Sequence, residues 1–466
     1  MLKAARFALT AFIALLALLA IPAAGAHAAQ RMPIGFFDDP TFRWSPARDD
    51  NLRSAAVTGA SVIYTTASWS ALAPQKPASA SNGDDPAYKL SDLDELVAQS
   101  SLYGLRVMID VTGTPKWANG GKAPNVMPTR LSDLTAFTHM LASRYNGQSG
   151  RGAVSLWTVW NEPNIQLFLT PQFVGKKIVG PANYAKLYKA AYAGIKAGNP
   201  GAKVAIGNTS ARGRDKPLAG NSASVAPGTF ARLLAQQKGL KFDAWAHHPY
   251  PTSPNLPPLQ KVRYPNVTLS TFPTFEADLK RFFHRTVPIW ITEYGHETKP
   301  AEPHGVTLAK QAAYAKQALT IAKSDPNVQM FIWFVFRDSA GNPWQSGLFS
   351  ASGSPKPAYS AFGAVARLTD GTTSLTKPGG HPAVTMYMPY LSHYANVGAQ
   401  IGITYKVYDG SKFIASGQPV APLSADQSIR FTPVFPTVKG HTYTVNVVAN
   451  EVNGHTEART SLIQVG

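Results

Sequence analysis

From residue 33 to about 368 the chain alternates short apolar runs with longer amphipathic stretches. The runs that read as strands are Ile34–Phe37, Ser61–Thr65, Arg106–Val111, Val154–Trp160, Lys203–Gly207, Phe242–Ala246, Pro288–Thr292 and Gln329–Phe336. Each is short, rich in β-branched and aromatic residues, and apolar enough to be covered on both faces. Between them Leu90–Leu102, Ser132–Tyr145, Pro181–Gly198 and Leu308–Ser324 carry helical periodicity. Repeated β-then-α units predict an α/β fold with a parallel sheet, and eight of them predict a closed (β/α)8 TIM barrel over residues 33–368. An open doubly wound sheet is the competing architecture, but no glycine-rich turn follows the first strand.

After residue 368 the pattern changes. Leu368–Pro382 is poor in apolar residues and reads as a linker. Beyond it Ile401–Val407 and Thr442–Val448 alternate with period two, and Asp409-Gly410 stands where a hairpin turn is needed. Residues 383–466 are therefore expected to form a small C-terminal antiparallel β-sandwich, immunoglobulin-like in size, as an accessory domain without catalytic groups. Tyr387, Tyr390 and Tyr394 in this part suit either an exposed glycan-binding face or a core. The loops Pro74–Pro86, Ala211–Pro227 and Pro251–Pro273 all follow barrel strands, where the rim of a substrate cleft is built.

At the other end, Lys3 and Arg6 precede an apolar run from Phe7 to Ile21, and Ala26-His27-Ala28 supplies small residues about a cleavage point. Residues 1–28 have the layout of a secretory signal peptide, so a secreted or extracytoplasmic protein is expected; an uncleaved anchor is the alternative. The 466 residues contain no cysteine, which excludes disulfides, thiol nucleophiles and thiolate metal sites. The formal charge is +18, or +16 without Lys3 and Arg6. Such a balance favours acidic polymers, an anionic cell envelope or nucleic acid as partners. The basic residues are scattered and no nucleic-acid-binding signature is present, so nucleic acid is not expected and a solvated basic surface is the plainer reading. Oligomeric state is not legible.

Two strand ends carry chemistry. The fourth strand runs out through Trp160-Asn161-Glu162-Pro163-Asn164, and the seventh through Ile291-Thr292-Glu293-Tyr294. Both glutamates therefore fall at the C-terminal mouth of the barrel, where residues of catalysis sit in this fold. Strands four and seven stand opposite one another around a ring of eight, so the two carboxyl groups converge. Such a pair suits glycosidic bond cleavage, one carboxyl donating a proton and the other attacking, because repulsion separates their pKa values. The spacing expected for direct attack is about 5–5.5 Å.

These two motifs together resemble the retaining glycoside hydrolases of clan A, and the wording Trp-Asn-Glu-Pro-Asn with an appended β-domain resembles glycoside hydrolase family 39. The resemblance implies that Glu162 is the acid/base, Glu293 the nucleophile, and Asn161 a partner of the sugar 2-hydroxyl. It further implies that His248 touches the sugar, that Tyr250 donates to Glu293, that Trp333 is the aromatic floor beneath the reacting sugar, and that Trp117 lines the cleft. Asp110 and Trp69 read as structural. One departure stands out: the second strand ends Thr65-Thr66-Ala67-Ser68-Trp69 without the arginine of some clan families, which argues against a cellulase-type assignment. His247 and His248 are neighbours in an extended segment and point apart, so zinc is not expected. No phosphate-binding glycine loop, HExxH or GxSxG motif implies another chemistry or a cofactor. The expected substrate class is an extracellular polysaccharide or glycan; the alternative is a non-catalytic carbohydrate-binding or cell-envelope protein on an inherited barrel.

Overall fold

The computed structural model describes residues 32–341, 343–369, 373–375, 378–388, 391, 395–424, 428–452 and 455–466. Residues 1–28, Tyr390, Tyr394 and the side chain of Tyr387 lie outside the described residues. Eight parallel strands close a barrel in chain order: β1 Ile34–Phe37, β2 Val62–Ser68, β3 Arg106–Thr112, β4 Leu156–Val159, β5 Lys203–Ser210, β6 Ala244–His248, β7 Ile289–Ile291 and β8 Val328–Phe334. Each strand is followed by one main helix: α1 Arg48–Val57, α2 Ser91–Leu102, α3 Leu131–Arg144, α4 Gly180–Gly198, α5 Pro227–Ala235, α6 Phe272–Phe283, α7 Leu308–Ser324 and α8 Pro357–Thr369.

The strands are apolar on both faces because both are buried. Inward positions such as Tyr64, Met108, Leu156, Ala246, Trp290, Met330 and Ile332 fill the barrel. Outward positions such as Ile63, Ile109, Trp157, Trp245, Phe331 and Trp333 pack under the helices. β1 and β8 close the ring with Ile34 opposite Phe331 and Phe37 opposite Phe334. Gly35 makes a close approach possible there, since a Cβ on it would lie 2.1 Å from the Val62 carbonyl oxygen. At the mouth Asp38 accepts the backbone N–H groups of Phe336 and Arg337, each at 3.0 Å, which ties the two ends together.

The C-terminal part has its own core, including Ile403, Val407, Val445, Val447 and Ile463. Its strands are β9 Thr373–Leu375, β10 Val384–Tyr387, β11 Gln400–Asp409, β12 Lys412–Gly417, β13 Val420–Pro422, β14 Ser428–Phe431, β15 Thr442–Val452 and β16 His455–Val465. One sheet runs β9-β16-β15-β11-β12 with β13 also on β11, and β10 pairs with β14. Gly410, at φ 58, forms the hairpin turn between β11 and β12. Within the stretch read as linker, β9 adds to this sheet by pairing in parallel with β16. Three residues are too few to show a period of two, which is why this stretch reads as linker. Arg459 joins the parts by donating to the Gly104 carbonyl at 2.7 Å, in the α2–β3 turn at the barrel end away from the mouth. No helix among the described residues is long and apolar enough to cross a membrane.

Candidate active site

β4 ends in a strained turn. Trp160 and Glu162 hold φ of 72° and 38°, a left-handed conformation that costs non-glycine residues about 1–3 kcal/mol each. The surroundings enforce it. Trp160 donates its N–H to the Val111 carbonyl at 2.8 Å and its indole Nε1 to the Phe168 carbonyl at 2.6 Å. The Glu162 N–H donates to the Asn208 carbonyl at 3.0 Å. Asn164, fully buried, donates to Ser210 Oγ at 3.1 Å and to the Val225 carbonyl at 2.9 Å, clamping this turn to β5. The motif's tryptophan and second asparagine are thus scaffolding, and the glutamate is what they present.

Glu293 follows β7 on the facing wall. The Tyr250 hydroxyl donates to its Oε2 at 3.2 Å, and that ring is held between Tyr294 and Trp344, with centroids 6.0 and 5.4 Å away. His248, at the inward-facing end of β6, lies between the carboxylates: its Nδ1 is 2.9 Å from Glu162 Oε1 and 3.6 Å from Glu293 Oε2. One oxygen of each glutamate and one nitrogen of His248 all lie within 4.8 Å of one another.

Beneath them a hydrogen-bond chain fixes a proton. Asn208 Nδ2 faces the Tyr64 hydroxyl at 3.2 Å and the Trp160 carbonyl at 3.3 Å, and a carbonyl can only accept. The amide is therefore oriented with Oδ1 accepting from Thr292 Oγ1 at 2.7 Å and facing His248 Nε2 at 3.2 Å. Nε2 must then carry a hydrogen. The short contact between His248 Nδ1 and Glu162 needs one more proton, held by the imidazolium or by the carboxyl. Below Tyr64 the chain runs to Thr158 at 2.8 Å and on to Asp110 at 2.8 Å. Asp110 is buried inside the barrel, which pushes its carboxyl up to about 7.

Burial likewise lifts Glu293 to about 7, with a contribution from the Glu162 charge; His248 and the Tyr250 hydroxyl oppose the rise. Burial alone would depress His248, but the Glu293 and Glu162 carboxylates outweigh it and leave the ring above its ordinary value. His247 faces the other way, onto Thr209 Oγ1 at 2.9 Å and the Val267 carbonyl at 3.0 Å, and burial pushes it down to about 3. Glu162, His248 and Glu293 are the group among the described residues whose atoms could converge on a metal ion. The donor set suits a divalent cation. The proton between Nδ1 and Glu162 would have to leave first.

Above the carboxylates opens a cavity of about 890 Å³. Phe37, Phe334, Trp344 and Glu297 line it from the β7, β8 and β1 side; Ile165, Phe168, Arg212 and Arg214 line it from the β4 and β5 side. Its described lining ends at Trp344, and no described residue of the C-terminal sheets is part of it.

Comparison with known proteins places this architecture among solved structures. A family 39 glycoside hydrolase from the gut symbiont Bacteroides cellulosilyticus WH2 is 19% identical with a TM-score of 0.55, over 86% of this chain and 81% of that one. A glucosidase from Croceicoccus marinus is 12% identical with a TM-score of 0.55, over 92% and 97%. A GH5_18 protein from Streptomyces cattleya in complex with GlcNAc is 16% identical with a TM-score of 0.51, over 73% and 80%. At these identities the likeness is one of fold. No curated protein matches the chain. The family described as "Family of unknown function (DUF5722)" matches residues 119–375, more than half of the chain and both glutamates. The chain belongs to DUF5722.

In this DUF5722 protein the candidates picked out in the sequence separate into two groups. Asn161, Glu162, Tyr250 and Glu293 line the cavity. His248 lies under the carboxylates, fully buried, and bonds to Glu162 rather than facing the cavity. Trp333 is a correction. It is 0% exposed, donates its indole Nε1 to the Ser346 carbonyl at 2.9 Å, and packs on Phe362 under the helices. The strand's period of two explains this: Met330, Ile332 and Phe334 point inward, so the adjacent Trp333 points out, and the aromatic at the mouth is Phe334. Trp117 is the other correction, since its indole donates to the Ala73 carbonyl at 2.8 Å and its ring stands edge-on against Trp69 in the wall behind the cleft. Sequence reasoning missed Asn208, Thr292, Tyr64 and Thr158, which are polar side chains inside apolar strands, the one signal that marks them. Replacing Asn208 with alanine is expected to lower kcat by about tenfold or more, because it frees His248 Nε2 and so loosens the proton shared between His248 Nδ1 and Glu162. Equal kcat/KM pH profiles for N208A and wild type would show that this hold on the proton does not matter.

Proposed function

We propose that this protein is a retaining glycoside hydrolase, with Glu162 as acid/base and Glu293 as nucleophile. The observation that carries the reading is the convergence of the two carboxylates, one oxygen of each within 4.8 Å of the other, at the floor of an open cleft. Double displacement needs carboxyl groups about 5–5.5 Å apart, whereas inversion needs about 6.5–9.5 Å to admit a water. Glu293 attacks the anomeric carbon as the glycosidic bond breaks, and Glu162 gives its proton to the departing oxygen. Glu162 then takes a proton from the water that releases the glycosyl ester. The roles follow the proton: Glu162 is bonded to His248, while Glu293 receives the Tyr250 hydroxyl, which favours its ionised form. A proton held between Glu162 and His248 reduces the repulsion on Glu293, and burial, the larger cause, keeps that carboxyl raised. On this reading the substrate is an extracellular polysaccharide or glycan and the protein is exported, as residues 1–28 suggest. A binding protein on an inherited barrel has no need of a proton stored beside a second carboxylate.

The first test is release of sugar from a panel of aryl glycosides and polysaccharides by the purified protein. A second concerns pH. Glu293, raised to about 7, must be ionised to attack, so kcat/KM is expected to fall as pH drops through about 7. At high pH it falls again when the proton at His248, which the two carboxylates hold above its ordinary range, is lost. An activated aryl glycoside, which needs no acid, should keep the acidic limb and lose the alkaline one. A profile with the alkaline limb intact on that substrate argues against Glu162 as acid.

A further inference from the structure

One wall of the cleft carries charge that the proposed chemistry does not use. Arg212 and Arg214 are exposed, line the cavity, and make no ion pair among the described residues. They stand on the loop after β5, on the side of the cleft that carries Glu162. That loop is fixed. The Gly213 N–H donates to Asn266 Oδ1 at 2.9 Å, the Arg214 N–H to the Ser224 carbonyl at 3.1 Å, and Ser210 Oγ to the Arg212 carbonyl at 3.0 Å. Gly213 presses so closely on residues 225 and 226 that a Cβ on it would lie 2.0 Å from the Val225 carbonyl carbon. The backbone under both arginines is therefore set, while their guanidinium groups remain available.

The neighbouring acid is turned away from them. Asp215 accepts the Ala226 N–H at 2.8 Å and the Thr229 hydroxyl at 2.7 Å, where it caps the start of α5. The two loops of this side, residues 211–226 and 249–268, hold Arg212, Arg214, Lys216, Lys261 and Arg263 against Asp215 alone. Across the cleft, the wall carries the carboxyl of Glu297 and no basic side chain among the described lining residues, so the basic groups of the cleft stand on one side. Guanidinium groups spaced along a fixed wall suit planar or tetrahedral oxyanions, which they bind through paired charge-assisted hydrogen bonds.

We propose that this cleft takes an anionic glycan, with a carboxylate or sulfate on a sugar seated against Arg212 and Arg214. The inference rests on the glycosidase reading for its choice of a sugar ligand. Its test is binding, measured by calorimetry on the full mature chain carrying Glu162→Gln and Glu293→Gln so that no probe is consumed. The probes are a hexuronate tetrasaccharide, its neutral hexose counterpart and a sulfated counterpart. An anionic probe is expected to bind at least about tenfold more tightly than the neutral one, the gap closing in high salt. Whether the uronate or the sulfate gains more identifies the oxyanion. Adding Arg212→Gln and Arg214→Gln should erase the preference, and Arg212→Lys with Arg214→Lys should keep part of it. Equal affinities for the three probes, binding of none, or a preference that survives the glutamine pair would overturn the assignment. Failure of the glycosidase reading shows separately, as wild-type protein that releases no sugar from any neutral or anionic substrate.

Discussion

Glu293→Ala is expected to lower kcat by on the order of 10⁵-fold on every glycoside, whatever its leaving group. The reason is chemical. Without the carboxylate nothing attacks the anomeric carbon, and no covalent intermediate forms. The protein should still fold and still bind, because Glu293 is a destabilising presence: burial and its neighbour hold it above the usual carboxylate range. Removing such a group relieves the folded state. A raised carboxylate binds its proton more tightly folded than unfolded, so its contribution to stability is fully present below pH 4 and is lost as pH rises toward about 7. E293A should therefore melt no lower than wild type at neutral pH. Activity of E293A within tenfold of wild type would remove Glu293 from the reaction.

Glu162→Ala should behave differently. On substrates with poor leaving groups the loss is expected at about 10²–10⁴-fold, the range of general acid catalysis, and on an activated aryl glycoside much less. In the second step the variant lacks a base, so the glycosyl enzyme accumulates until a small anion attacks it. Azide should restore turnover and yield a glycosyl azide. A variant equally inactive on good and poor leaving groups, with azide present, would mean that Glu162 is not the acid/base.

Why these two residues were legible in the sequence while their support was not is a matter of range. The barrel strands announce themselves because burial on both faces makes each an unbroken apolar run, and an acid closing two such runs, at strands four and seven, is a local feature. Trp333 and Phe334 differ by one position, and nothing local decides which of two adjacent aromatics faces the axis. That is set by the register of β8 against β1 and β7, and by Ser346 taking the indole from behind. Asn208 becomes meaningful only through partners on β2 and β6 and just past the ends of β4 and β7. A register shift between β5 and β6, at Gly207 and Thr209, accompanies its left-handed φ of 47°. His248 reads as a sugar contact from its place just past the predicted strand Phe242–Ala246, whereas in the structure it ends β6 and its partner is the acid itself. The strand Thr373–Leu375 is recognisable only beside β16, ninety residues downstream.

The most direct measurement is the configuration of the first sugar released, followed by proton NMR during cleavage of an aryl glycoside that the panel shows to be a substrate. Glu162 and Glu293 acting by double displacement predict that the product appears first as the anomer of the substrate and only later mutarotates. The opposite anomer appearing first would contradict the account.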